Sequence, residues 1–229
     1  MKSLVLAGRF LMLNLPLSCA ASASKPAVHV PRGAPVVIDG RMEENEWDGS
    51  ALHRLPDGTV VRLRHDHGHL FVGITTPRPG FASVCVAQRD SVRVFHASAA
   101  LGSVNYARRA REWVTSDTQF VYGMRNTELN DQARAERSEY LSRHGWVAST
   151  FRMGGGLVQE LQFSLTRIPG MTGLALAFFV PEGDTGAVVT WPAALPPDDG
   201  CCDNRLVRGY VPPHLRFDPS KWAVLALDP

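Results

Sequence analysis

From residue 36 onward, apolar and polar residues alternate in short runs separated by turn-forming residues. In the run 59–65, Val61 and Leu63 are apolar positions of one face, and the run 69–75 has a strong β composition. Side chains of a strand point alternately to the two faces of a sheet, so this period of two predicts half-buried strands. The intervening turn at residues 66–68 predicts that the two strands form a hairpin.

The same pattern predicts most of the remaining chain to be β-structure. Further strands are predicted at 36–38, 84–86, 90–96, 113–122, 146–152, 157–165, 173–180, 188–191 and 222–227. Residues 97–112 are basic and are predicted to be irregular. Many short strands with turn punctuation favour an all-β fold, an antiparallel, jelly-roll-like β-sandwich.

One segment departs from the β pattern. Residues 128–143 are polar and rich in helix formers, and Asn130-Asp131 is an N-terminal cap signal. Glu139 and Arg143 stand at the four-residue spacing that supports a helix. We expect one short helical excursion on the surface of the sandwich.

The first residues are typical of an export signal. Positive residues precede an apolar run, and small residues follow it at Ser18–Ser24. Residues 1–23 are therefore predicted to be an export signal. Ala21-Ser22-Ala23 suits ordinary cleavage, whereas Leu17-Ser18-Cys19 resembles a lipoprotein box with signal residues 1–18 and Cys19 as the lipidated residue.

Three regions follow from this organisation: the export signal, a Pro-rich tether at 24–35, and one domain at 36–229. The 229-residue chain is 45% apolar and has a formal net charge of +2. It can bury a real core, and nothing in its total charge calls for nucleic acid as a partner. The predicted location is the periplasm, the cell envelope or the extracellular space, with a lipid anchor as one alternative.

Export also permits disulfide bonds. The chain has four cysteines, of which Cys19 lies in the signal region. Cys85 is expected to pair with either Cys201 or Cys202, and a strained bond between Cys201 and Cys202 themselves is the rarer alternative. The sequence leaves this choice open.

Several motifs together carry a resemblance to a known family. VVIDGRMEENEW at 36–47 joins a strand, an Asp-Gly turn, an acidic spacer and Trp47. VVRLRHDHGHLFVGI, RDSVRVF, VQELQFSLTRI, VVTWP and WAVLAL follow in order. This series resembles the domains similar to family 9 carbohydrate-binding modules, over roughly residues 36–227. Glu160 matches the acidic position of the family's VEIAIPLSRL strand, and Arg93 stands where the family usually has glutamate.

The resemblance implies a non-catalytic module that holds a sugar ring between aromatic side chains. Sugar rings have apolar C–H faces that stack on aromatic rings, and hydroxyl groups take directional polar partners. The candidate ligand-binding residues here are Trp113, Trp191, Trp146, Tyr106 and Arg93. Trp47 and Trp222 are expected to belong to the core.

Two groups of residues are candidate metal sites. Asp39, Glu43 and Glu46, with Glu44, are clustered oxygen ligands that could hold a structural Ca²⁺, or they form a solvated acidic face. His65, His67 and His69 alternate, but the turn between them favours a solvated hairpin. Arg108, Arg109 and Arg111 are read as a solvated loop, with recognition of an anion as the alternative.

The sequence contains no G-x-S-x-G, H-E-x-x-H or C-x-x-C signature, so we expect no catalysis. One alternative is a haem-binding module of the DOMON type, with Met124 or Met153 and His96 or His144 as axial ligands. The other is a structural envelope protein that uses the sandwich to contact a partner protein.

Overall fold

We describe the protein from a computed structural model. The structure describes residues 27–43, 45–98, 100–122, 130–153, 155–182, 185–193, 195–207 and 210–229. The predicted export signal with Cys19, and the possible haem ligand Met124, lie outside these residues.

The described residues form fourteen strands and two α-helices. The strands are β1 (Ala27–Val30), β2 (Ala51–Arg54), β3 (Val60–His65), β4 (His69–Thr76), β5 (Phe81–Gln88), β6 (Ser91–Ala97), β7 (Ala100–Arg109), β8 (Glu112–Tyr122), β9 (Trp146–Met153), β10 (Gly156–Ser164), β11 (Gly173–Glu182), β12 (Thr185–Trp191), β13 (His214–Leu215) and β14 (Val224–Leu227). The helices are α1 (Asp131–His144) and α2 (Asn204–Val207). None of these helices is long and apolar enough to span a membrane.

Two antiparallel sheets make up the sandwich. The five-stranded sheet has the order β2-β3-β4-β10-β9, and the seven-stranded sheet has the order β12-β11-β5-β6-β7-β8-β13. Between them, Phe95 of β6 meets Phe163 of β10 with ring centroids 4.9 Å apart. The predicted all-β antiparallel sandwich is confirmed.

Both outer faces of the sandwich are also covered. Residues 36–47 lie over the five-stranded sheet, where Trp47 packs beside Gly73 of β4. A Cβ atom at residue 73 would lie 3.0 Å from the Trp47 ring and 2.2 Å from Met42 Cε, so glycine makes this close approach possible.

The outer face of the seven-stranded sheet carries a second hydrophobic core. The C-terminal segment 195–223 covers this face, and its buried apolar residues pack against the sheet. They are Leu195, Cys201, Leu206, Leu215, Phe217 and Trp222. A disulfide bond joins Cys85 of β5 to Cys201, and Cys202 keeps a free thiol. The expectation that Cys85 pairs with one of the two adjacent cysteines is confirmed.

Helix α1 follows from its cap residues. Asn130 Oδ1 accepts a 2.8 Å hydrogen bond from the amide of Ala133, and Gly145 ends the helix in the left-handed region at φ 76°. The helix begins three residues later than the predicted 128. It is also more than a surface excursion, because the Tyr140 side chain is only 6% exposed.

Three differences from the sequence prediction concern local pattern. Residues 97–112, predicted to be irregular, contain the ten-residue strand β7. Residues 36–38 form no strand, although Val36 and Ile38 are buried. The predicted tether at 24–35 contains β1, which pairs in parallel with β14 and buries Val30 completely. In each case, contacts with distant parts of the chain override the local composition.

Candidate functional site

The structure distributes the five predicted ligand-binding residues over three places. Trp113 and Tyr106 lie in the second core, and Trp146 and Arg93 both contact Phe95 on the inner side of the seven-stranded sheet. Trp191 lines an open groove at the edge of the sandwich. The predicted residues therefore do not form a single site.

Trp113 and Tyr106 hold the C-terminal segment in place. The Trp113 indole nitrogen donates a 3.2 Å hydrogen bond to the carbonyl of Phe217, and the Tyr106 hydroxyl donates a 3.0 Å bond to the carbonyl of Pro212. Both rings pack edge-on against the Phe217 ring. Trp113 is 7% exposed and Tyr106 is fully buried. Neither residue lines one of the open cavities described for this structure, so neither ring is placed to stack a ligand.

The groove with Trp191 lies where the free edges of the two sheets meet. Its floor and walls come from β2, β12 and the segments beside them, and its volume is ≈ 480 Å³. The lining residues are Val28, Leu52, His53, Arg54, Leu55, Pro56, Trp191, Pro192 and Ala193. This volume is within the range of roughly 300–1,000 Å³ that small-molecule sites occupy.

Strand periodicity explains why these side chains meet. His53 is paired with Val61 of β3, and Trp191 is paired with Leu176 of β11. Val61 and Leu176 are both core residues, so His53 and Trp191 project from the two sheets toward the same interior edge. Their ring centroids are 5.1 Å apart at an interplanar angle of 53°.

The groove combines apolar walls with few polar groups. Leu52 is 42% exposed at its rim, whereas Trp191 shows only 7% of its surface. Within the described structure, Nε2 of His53 is buried without a hydrogen-bond partner. Burial lowers the pKa of His53, which favours a neutral ring at neutral pH. The lining of the groove thus combines aromatic edges, aliphatic contacts and a histidine whose buried Nε2 lacks a partner among the described residues.

The acidic residues near Asp39 are used in local hydrogen bonding. Asp39 Oδ1 accepts a 2.8 Å bond from the amide of Arg41, and Glu46 Oε1 accepts a 3.0 Å bond from the amide of Val37. Across the described ranges, no three His, Cys, Asp or Glu side chains are grouped so that they could hold a metal ion. Asp39, Glu43 and Glu46 therefore do not assemble the predicted Ca²⁺ site.

The histidines of the β3–β4 hairpin are likewise separated by their turn. His65 Nδ1 lies 2.9 Å from the carbonyl oxygen of Asp66, and His69 Nδ1 lies 3.4 Å from Asp66 Oδ1. His67 contacts Arg32 instead.

The arginines at 108, 109 and 111 are exposed, in agreement with a solvated segment.

Sequence reasoning missed the role of Glu160. This fully buried side chain accepts hydrogen bonds from the Trp47 indole at 2.9 Å, the Gly40 amide at 2.8 Å and the Asp39 amide at 3.1 Å. Burial raises its pKa to about 7, against the lowering effect of these three bonds. The sequence signal that could have indicated this role was an acidic residue in the middle of a strand with several apolar residues.

Of the possible haem ligands, the structure describes the side chains of the two histidines, which lie in different surroundings. His96 is 6% exposed, and burial lowers its pKa to about 4. His144 ends α1 and lies against Gln119. The side chain of Met153, like Met124, lies outside the part of the structure that is described.

Comparison of the chain with protein-family models, with curated proteins and with solved structures finds no match. The chemistry of the groove therefore carries the functional argument.

Proposed function

We propose that this chain is a non-catalytic, exported binding protein that holds a saccharide in the groove beside Trp191. The single observation that carries the proposal is that Trp191, alone among the five predicted ligand residues, lines one of the open cavities described for this structure. The resemblance of residues 36–227 to family 9-like modules supports the same class of ligand.

The groove suits a small ring with one apolar face. The exposed part of the Trp191 indole, the Pro192 ring and the rim residue Leu52 provide apolar contacts for C–H groups. His53 and Arg54 also line the groove, and the exposed Arg54 side chain provides donors for hydroxyl groups. Since little of the indole is exposed, the other walls must contribute a large part of the binding energy.

The disulfide bond that ties the C-terminal segment to β5 supports the proposal that the protein is exported. The Cys85–Cys201 disulfide bond persists in oxidising compartments such as the periplasm and the extracellular space. This agrees with the export signal expected at residues 1–23.

The test is a titration of the mature protein with a panel of mono- and oligosaccharides. Binding is detected by calorimetry and by the change in intrinsic tryptophan fluorescence. We expect a saturable signal for at least one saccharide, weakened about tenfold or more in Trp191→Ala. His53→Ala is a second variant that removes a groove ring without removing the larger core residue.

Trp113→Phe is the matched control, because it changes a buried indole on the opposite outer face of the seven-stranded sheet. Its affinity should equal that of the unmodified protein. A flat response of the folded protein across the panel would refute the saccharide proposal. If Trp191→Ala and His53→Ala both bound the saccharide with the affinity of the unmodified protein, the saccharide site would lie outside this groove.

A further inference from the structure

A second cluster of chemically active groups lies on the side of the sandwich that α1 closes. Its centre is the ring of Phe95. The Arg93 guanidinium carbon is 4.9 Å from the Phe95 centroid, and the Trp146 ring is 5.0 Å from it. Tyr140 of α1 joins the cluster with its centroid 5.7 Å from that of Trp146 and 4.4 Å from that of His144.

Arg93 brings a half-buried positive charge into this cluster. One of its nitrogens donates a 3.1 Å hydrogen bond to Ser103 Oγ, and another lies 3.4 Å from the carbonyl oxygen of His144. The ion pairs found among the described residues do not include Arg93. The carboxylate whose charge acts on Arg93 is that of Asp117, an exposed residue of β8.

Two further donors in the cluster have no acceptor among the described residues. The Tyr140 hydroxyl and the Trp146 indole nitrogen are both buried, and neither has a hydrogen-bond partner in the described parts of the chain. Tyr140 is 6% exposed and Trp146 is fully buried. An unpaired buried donor destabilises the folded state, so two in one cluster need an explanation.

The groups of this cluster lack acceptors rather than donors. Guanidinium and indole N–H groups can only donate, and a hydroxyl can donate as well. The carbonyl of His144 is the C-terminal end of α1 and offsets part of the Arg93 charge, although at 3.4 Å the bond is long. What the cluster lacks is an oxygen acceptor that carries negative charge.

We propose that this cluster, comprising Arg93, Tyr140, Trp146 and His144, is a binding site for the carboxylate of a small acidic ligand. A carboxylate has two oxygens in the plane that matches the guanidinium fork of Arg93. The side chains of Arg93, Gln119 and His144 are half-buried, so part of the cluster is accessible to solvent. The site is separate from the Trp191 groove, because β9 and α1 lie at the end of the five-stranded sheet opposite to β2.

The test compares D-glucuronate with D-glucose by isothermal titration calorimetry on the full mature protein at low ionic strength and neutral pH. The two probes share a ring and differ in the carboxylate. We expect glucuronate to bind through this cluster, and Arg93→Met to weaken that binding about tenfold or more. Tyr140→Phe, which removes only the hydroxyl, is expected to weaken it by a smaller factor.

Arg108→Met is the matched control, because Arg108 also lies over an aromatic ring, Trp113, but on the opposite face of the sheet. It should bind glucuronate normally. Trp191→Ala should also retain glucuronate binding, which distinguishes this site from the saccharide groove. Absence of glucuronate binding to the folded native protein, or full binding by folded Arg93→Met, would overturn the proposal.

If Arg93→Met fails to fold, Arg93→Lys keeps the charge but loses the two-pronged geometry. It should then show reduced glucuronate affinity and stronger salt dependence. Unchanged affinity in both Arg93→Lys and Tyr140→Phe would equally refute the carboxylate site.

Discussion

The indole nitrogen of Trp47 donates a 2.9 Å hydrogen bond to Glu160 Oε1, between residues that are 113 positions apart in the chain. The other carboxylate oxygen of Glu160 accepts the amides of Asp39 and Gly40. Gly40 lies at φ 85°, a conformation that glycine adopts without steric cost. One buried carboxylate therefore fixes both ends of the 36–47 motif on β10.

This relationship predicts a large stability loss on removal of the carboxylate. Glu160→Ala leaves three donors without their acceptor, and we expect a decrease of about 3–5 kcal/mol in the free energy of unfolding. Trp47→Phe removes only one donor and should cost less. The measurement is urea unfolding followed by circular dichroism, with Glu43→Ala in the exposed acidic turn as the control. Equal stability of the Glu160→Ala and Glu43→Ala variants would contradict the assigned role.

Glu160 also predicts a pH dependence of stability. Its pKa is raised from 4.5 to about 7 by burial, so between these values the folded state holds a proton that the unfolded state has released. The resulting stabilisation is fully present below pH 4.5 and is lost as pH rises through about 7. The charge of Glu46 raises the pKa of Glu160 further, and the pKa of Glu46 itself is raised by burial, so Glu46 acts in the same direction. The charge of Arg137 also interacts with Glu160.

The pH dependence is measured as the free energy of unfolding of native protein and Glu160→Gln between pH 4 and 8. His96 works in the opposite direction, since its lowered pKa of about 4 makes acidification below its ordinary pKa destabilising. Its contribution is the same in both proteins, so the difference between them isolates Glu160. A difference that stays constant across this range would show that Glu160 does not titrate there.

The disulfide bond is expected to contribute to the stability of the second core. Cys85 and Cys201 are 116 residues apart, and a bond across so long a loop is expected to stabilise by about 3–5 kcal/mol. The double variant Cys85→Ser, Cys201→Ser should lose about this amount and show a red shift of tryptophan emission from Trp113 and Trp222. Thermal unfolding and fluorescence measure the two effects.

Cys202 provides the comparison for that experiment. It keeps a free thiol, and burial followed by the neighbouring carboxylates of Asp199 and Asp198 raises its pKa to about 11. Cys202→Ser should therefore leave stability close to that of the native protein. A loss as large as that of the double variant would indicate that the two adjacent cysteines exchange partners.

The N-terminal cap of α1 predicts a smaller, local effect. Asn130→Ala removes the acceptor for the Ala133 amide and should lower the free energy of unfolding by about 1 kcal/mol. Asn130→Asp keeps an acceptor and should be nearly neutral. Chemical denaturation measures both variants, and equal losses in the two would argue against the capping bond.

The sequence was sufficient where local chemistry decides the structure. The alternation of Val61 and Leu63, the turn at 66–68 and the cap at Asn130 all follow from neighbouring residues, and the structure contains them. Strand β7 was missed because Gly102, Asn105 and the basic residues at its end hide the alternation. Val104 and Tyr106 are buried because the C-terminal segment covers them, and this contact between distant parts of the chain is visible only in the structure.

The candidate sites show the same division. Strand composition identified Trp113, Trp146 and Trp191 as aromatic candidates, but it could not tell which of them lines an open cavity. Trp113 is buried because residues 195–223 cover its face, and Trp146 is buried because α1 closes its side of the sandwich. Trp191 reaches an open groove because β2 and β12 are unpaired edges of different sheets.

The sequence by itself determined the class of fold, the order of most strands, the capped helix and the short list of cysteines available for pairing. Only the tertiary structure decided which aromatic ring meets an open cavity, that Glu160 anchors the Trp47 motif, and that Cys85 pairs with Cys201. The physical reason is that turns, caps and strand periodicity depend on residues a few positions apart. Burial and side-chain pairing depend instead on which distant segments cover each face of the two sheets.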